Sequence, residues 1–255
     1  MIEWHLLHEE PRGLIRDKVW LTNGQESALF KPDSSDFGEA VAEVESYRIA
    51  QALGIPCARA ELFEWDGKQG ALSYNFKSNS NIGYVAAGKL CEGMEIKGFV
   101  PNWDNPSMKI IREQLPHLQE QMVDMLYFDC LIKNNDRHGE NFEIEISKEG
   151  EIIKIAPLFD HGLSLNPDDP LDHCCVGWDS TRESVPHFEM FKRLSQHYSK
   201  QIKYLLDKTE HVELNPFCSL RYKEMLTIFE RTGSSADELS MKKVTHLHTK
   251  AIIIW

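Results

Sequence analysis

The sequence has no C-x-x-C pair, no apolar run long enough to span a bilayer, and no basic, apolar leader behind Met1. The six cysteines, Cys57, Cys91, Cys130, Cys174, Cys175 and Cys218, are therefore expected to be reduced thiols rather than a disulfide framework. Within Asp172-His173-Cys174-Cys175 the adjacent cysteines are poorly spaced to chelate one ion and no second ligand pair follows, so zinc is not expected. Without a leader or a spanning segment, the expected location is the cytoplasm and no membrane association is foreseen. Basic residues are scarce as well, 28 against 40 acidic ones, and the net charge of -12 repels phosphate backbones at long range. Direct nucleic-acid binding is thus not expected. There is no internal repeat and no low-complexity tract, and 255 residues suffice for one large domain or a two-lobed one.

The chemistry is concentrated between Leu126 and Leu165. Asp136 is followed by Asn141, then by Phe142-Glu143-Ile144-Glu145-Ile146 and Ile152-Ile153-Lys154-Ile155, which alternate apolar positions and are joined by a turn ending at Gly150. This is the pattern of an antiparallel hairpin, which returns the chain so that Asp160 stands beside Asn141 with Asp136 above them. Phosphoryl transfer from a nucleotide needs a carboxylate at the attacking hydroxyl and oxygen ligands that hold magnesium against the phosphates, and these three side chains supply both. The D-x-x-x-x-N step followed by Asp160-His161-Gly162 has the spacing of the catalytic and metal loops of protein kinases, with DHG where DFG is usual.

Upstream, the residues before Pro11 carry a weak strand signal. Asn23-Gly24 is read as a two-residue hairpin turn, and Ser27 to Lys31 as the strand returning from it. Residues 39–53 are helical until Gly54 and Pro56 stop them. On that helix Glu43 shares a stripe with Tyr47 and Ala50 and should face the sheet opposite Lys31, whereas Glu45 falls farther round. Ala58 to Phe63 and Ala71 to Phe76 complete a small sheet. A polar link at 77–81 then leads into a mainly helical region with helices expected at 118–133, 187–206, 215–231 and 234–255, and a long irregular segment at 166–186.

FDCLIKNNDRHGENF followed by IAPLFDHG, with ALFKP and EVESYRIAQALGI upstream, resembles the C-terminal kinase core of the HipA-like serine/threonine kinases. The DRH-x-x-N spelling is shared with phosphoinositide kinases, so it does not by itself set the substrate class. The resemblance implies an α/β (α+β), two-lobed protein-kinase-like fold, with a nucleotide-binding lobe at 1–76 and a helical lobe carrying the catalytic and metal loops at 77–255. It implies ATP and Mg2+ as cofactors, a protein Ser or Thr hydroxyl as acceptor, and an antitoxin partner. By residue, it implies Asp136 as the catalytic base with His138 supporting its loop, and Asn141 and Asp160 as metal ligands. Lys31 and Glu43 become the nucleotide lysine and its partner, Gly13, Ile15, Arg16 and Lys18 the phosphate-covering loop, and Ser73 to Phe76, including Tyr74 and Phe76, the segment that meets adenine. Residues 11–18 hold no Ser or Thr, so the resemblance gives no basis for expecting the self-phosphorylation of that loop known in the family. The alternatives are a lipid or small-molecule kinase, and a nucleotide-binding pseudokinase that acts as a partner-binding module.

Overall fold

The computed structural model describes residues 3–7, 18–33, 38–77, 81–94 and 105–233. Five antiparallel strands come first: β1 (His5–Leu6), β2 (Val19–Thr22), β3 (Ser27–Pro32), β4 (Ala60–Trp65) and β5 (Lys68–Tyr74), in the order β1-β2-β3-β5-β4. Alternation decides which side chains face which way. Ala28, Phe30 and Leu72 go into a small cluster with Leu21 and Trp4, whose indole meets Phe63 and Tyr74 edge-on. Lys31, of opposite parity, lies on the face that carries helix α1 (Glu39–Leu53).

Helix α1 packs on β4 and β5, and its Ile49, Ala50 and Leu53 join the larger hydrophobic core of the chain. Ile49 and Leu53 are fully buried, worth about 1.5–3 kcal/mol each in apolar burial. The helix ends as its sequence requires. Gly54 takes φ 72°, its N–H bonds Gln51 O, and Ile55 N–H bonds Ala50 O, the reciprocal pair that satisfies the last carbonyls.

Two turns differ from the expectation. Thr22 pairs with Ser27, so the β2–β3 connection has four residues, because Asn23 Oδ1 accepts from both Gln25 N and Glu26 N and holds a wider loop. Between β4 and β5 the turn is the tighter one, Asp66-Gly67, both at positive φ (50° and 72°), a conformation that matches the twist of paired strands.

Beyond residue 81 the chain forms a second sheet as well as helices. Strand β6 (Gly83–Ala86) pairs with β7 (Glu143–Ile146), which pairs with β8 (Ile152–Ile155). The β7–β8 hairpin is the expected one. Strand β6 was not foreseen, since Gly-Tyr-Val-Ala is short and shows no alternation. Helices α2 (Ala87–Gly93), α3 (Met108–Gln114) and α4 (Gln119–Ile132) follow around it, then α5 (His187–His197), α6 (Ser199–Thr209) and α7 (Pro216–Gly233). The single helix expected at 187–206 is two, broken at Tyr198 (φ -131°, ψ 39°), and the one expected at 234–255 lies outside the described residues. Met122, Met125, Leu126 and Cys130 are buried on α4 as expected, but so are Tyr127, Phe128, Leu131 and Ile132, so α4 is wrapped on all sides and forms the centre of the larger core. Among the described residues no helix is long and apolar enough to cross a membrane.

Candidate active site

The parity of β3 and the inner stripe of α1 bring Lys31 and Glu43 together. Lys31 Nζ lies 3.2 Å from Glu43 Oε2 and 2.9 Å from Asp160 Oδ1. Burial alone would push the ammonium pKa down, but the two carboxylates outweigh it and raise it. Asp160 responds in the opposite sense. Burial favours its neutral form, yet Lys31, and to a lesser extent Lys18, hold its carboxyl well below the usual carboxylate range. Glu43 Oε2 also accepts the His161 N–H at 2.9 Å, which ties α1 to the turn after Asp160. Glu45 points elsewhere and forms a fork with Arg48 (2.9 and 2.7 Å) on the outer side of the helix.

The loop from Lys133 to Asn141 is built by short-range side-chain bonds. Lys133 takes a left-handed conformation (φ 56°) that ends α4, and Asn134 then bonds in both directions, its Nδ2 to Asp129 Oδ1 and its Oδ1 from Asp136 N. Asn141 Nδ2 donates to Asp136 O (2.7 Å) and to Asp136 Oδ2 (2.9 Å). Gly139 allows the loop to touch α2. Its N–H is held by Asn105 Oδ1, and a Cβ there would fall 2.9 Å from Gly88 Cα. Asp136 is part-exposed, and burial raises its pKa, His138 opposing and Asp160 adding to the rise. His138 Nδ1 accepts from Glu140 N, and its Nε2 lies 3.7 Å from Asp136 Oδ1.

Behind both loops lies Arg137, 1% exposed, which the sequence reading did not single out. Its guanidinium pairs with Asp129 (3.1 Å), also 1% exposed, and reaches Asn141 O, Phe159 O and His161 Nε2. Since an arginine only donates, Nε2 of His161 is the acceptor and its proton sits on Nδ1. Burial, then the neighbouring Arg137 and Lys31, keep that imidazole neutral. A signal for this group existed. Asp129 is the one acid in the run Leu126 to Ile132, and a carboxylate in a helix that is apolar on every side requires a buried partner.

Of the other residues singled out, Phe76 stacks 5.9 Å from Phe159, directly before Asp160. The Tyr74 side chain does not join the site. Its ring lies under the Arg59 guanidinium and against Trp4, its hydroxyl bonds Glu61, and it shares the parity of Leu72. Among the backbone N–H groups of 74–77, those of Tyr74, Asn75 and Lys77 are donated to Arg59 O, Ser27 O and Asn75 Oδ1. Gly13, Ile15 and Arg16 lie outside the described residues. In the Cys174 region, Asp172 is engaged with His187 Nδ1 (2.6 Å) and Cys175 Sγ bonds Asn135 O.

The arrangement fits a hard divalent cation. With the amide nitrogen of Asn141 committed to Asp136, its carbonyl oxygen remains as a ligand, and Asp160 keeps Oδ2 beyond the oxygen that meets Lys31. Two oxygens from opposite ends of a hairpin, one of them charged, are the donor set magnesium takes from proteins, the phosphates and water completing it.

A small antiparallel sheet with one helix, set on a helical body and joined to it by a lysine–glutamate–aspartate contact, defines a two-lobed protein-kinase-like fold. The model of the HipA-like C-terminal domain matches residues 11–236, and the chain belongs to that family. Among solved structures it is similar to the Helicobacter pylori proinflammatory kinase CtkA, with a TM-score of 0.60 and 16% identity over 85% of this chain and 90% of that one. It also matches HipA of the Shewanella oneidensis toxin–antitoxin system, solved with HipB and operator DNA (TM-score 0.49, 14% identity, 89% and 67% covered). A third match is the choline kinase LicA of Streptococcus pneumoniae (TM-score 0.30, 12% identity, 97% and 91% covered). No curated protein matches the sequence.

Proposed function

We propose that this chain is an ATP- and magnesium-dependent kinase that transfers the γ-phosphoryl group to a Ser or Thr hydroxyl of a protein. The observation that carries the reading is the Lys31–Glu43–Asp160 contact, with the Asp136–Asn141 pair near enough for the Asp160 charge to act on Asp136. Lys31 holds the α- and β-phosphates, and Glu43 keeps the lysine in place. Residues 13–18 cover the phosphates, and the segment through Phe76 meets the adenine. Asn141 and Asp160 would hold Mg2+, which when bound neutralises charge on the β- and γ-phosphates. Asp136, its carboxylate oriented by the Asn141 amide, accepts or orients the hydroxyl proton, and His138 steadies that carboxylate. A cavity of about 600 Å³ lined by Asn105, His173, Cys175 and residues 181–184 lies beside the catalytic loop, and none of the candidate site residues described lines it. Its wall is bonded to the same loop, through Cys175 to Asn135 and Asn105 to Gly139. Family membership extends the proposal to an antitoxin-type protein partner, and the net charge of -12 argues for a protein surface rather than nucleic acid as what it meets, in the cytoplasm.

The test is incubation of the purified protein with γ-labelled ATP, magnesium and a cell lysate, followed by fractionation. Label in a protein at Ser or Thr is the expected result. Label confined to lipids or small molecules would move the acceptor to those classes, and no label in any fraction would move the protein to a nucleotide-binding module.

Glu43 and Glu45 give a second check. Losing a hydrogen bond to a charged group costs about 1.5–3 kcal/mol, so Glu43→Gln should lower turnover by about 10- to 150-fold. Glu45→Gln, whose carboxylate accepts from Arg48 and Asn215 and does not meet Lys31, should leave turnover near the parent's. Steady-state kinetics on the two variants decides, and the reverse order of damage would place the wrong acid opposite Lys31.

A further inference from the structure

We infer that Arg137 is the positioning residue that fixes the separation of Asn141 and Asp160, a role that rests on the proposed function of those two side chains as metal ligands. One of its terminal nitrogens, Nη1, donates to Asn141 O at 2.8 Å and to Phe159 O at 3.0 Å. The first carbonyl belongs to one candidate ligand and the second to the residue directly before the other. The second terminal nitrogen, Nη2, reaches His161 Nε2 at 2.8 Å, directly after Asp160, and Asp129 Oδ1 at 3.1 Å. Nε completes the set with Asp129 Oδ2 at 3.1 Å. A guanidinium has five N–H groups, and here each has an acceptor.

These bonds span the hairpin. Asn141 and Asp160 leave its two ends, and strand pairing alone sets the ends only to the tolerance of a loop on either side. A planar, rigid group that holds the backbone at both ends removes that freedom, and Asp129 on α4 fixes the group itself to the most buried helix of the fold. The clamp also accounts for His161 at the position where a phenylalanine is usual. A phenyl ring offers Nη2 no acceptor, whereas a neutral imidazole does. Through its own N–H to Glu43 the same histidine carries the clamp on to α1 and Lys31. Arg137 touches no substrate in this account; it acts through the carbonyls of Asn141 and Phe159.

Arg137→Met would leave the Asp129 charge buried without a partner and endanger the fold. Arg137→Lys keeps the positive charge beside Asp129 but offers a single tetrahedral nitrogen that cannot serve two carbonyls, an imidazole and a carboxylate together. The measurement is calorimetric ATP binding at graded magnesium, alongside ATP binding in EDTA and circular dichroism. For Arg137→Lys the magnesium concentration at half-saturation should rise about 10–100-fold, the range for loss of a group that orients a metal ligand, while binding in EDTA and the spectrum stay as in the parent. A folded Arg137→Lys protein with the parent's magnesium dependence would overturn the inference. Should that variant not fold, His161→Phe decides, since it leaves the Arg137–Asp129 pair intact. It should shift the magnesium dependence in the same direction, and parental behaviour would count equally against the clamp. A parent whose ATP binding ignores magnesium would overturn the metal assignment itself, and is told apart by appearing before any substitution is made.

Discussion

Asp136→Asn should bind ATP and magnesium as the parent does and transfer phosphate about 10²–10⁴-fold more slowly, the range for loss of one positioned acid–base group. The substitution keeps the side chain's shape and leaves one oxygen for the 2.9 Å bond from Asn141, so the loop should hold. What it removes is the proton acceptor and the negative charge that orients the hydroxyl. The parent's pH profile carries the matching signature. As the proposed base Asp136 would work ionised, and burial raises its pKa from the ordinary aspartate value. Activity should therefore fall as the pH drops through a midpoint higher than that of a free aspartate, and the residual activity of Asp136→Asn should lack that limb. A variant as active as the parent would remove Asp136 from the reaction.

Asp160→Ala should abolish magnesium-dependent ATP binding and leave the fold intact. The residue lies in a loop, at a left-handed φ of 61°, and contributes little to the core. As proposed, its carboxylate is one of two side-chain oxygens that would hold the cation, and the charged one of the two. Lys31 loses one of its two partners but keeps Glu43 at 3.2 Å, so the lysine should remain near its place. Calorimetry with and without magnesium separates the effects, and Mg-ATP bound as tightly as by the parent would take Asp160 out of the site.

Where side-chain periodicity and short spacing govern the structure, the sequence was informative. The β7–β8 hairpin follows from alternation over two short runs, and it returns the chain so that Asn141 O and Phe159 O meet one nitrogen of Arg137. The Glu43–Lys31 contact follows from a helical stripe and a strand parity, each local. The Arg137 group was not read because, apart from Asn141 four residues on, its partners lie 8 residues upstream and 22 and 24 downstream, a set that only the folded chain assembles. Strand β6 needed β7 as a template and has no pattern of its own. The break at Tyr198 contains neither Gly nor Pro and comes from packing of α5 and α6 around α4. The direction of the Tyr74 side chain could also be read. Its parity with Leu72 was visible, and it already placed the ring on the Trp4 side of the sheet, away from Lys31.

The central claim is that the cleft between Lys31 and Asp136 moves a phosphoryl group from ATP to protein. The most direct measurement of it is mass-spectrometric phosphate incorporation into lysate protein by the purified chain, with magnesium and with EDTA in parallel. The account predicts Ser or Thr phosphorylation with magnesium and none with EDTA. Phosphorylation undiminished by EDTA, or none under either condition from a protein that binds ATP, would contradict it.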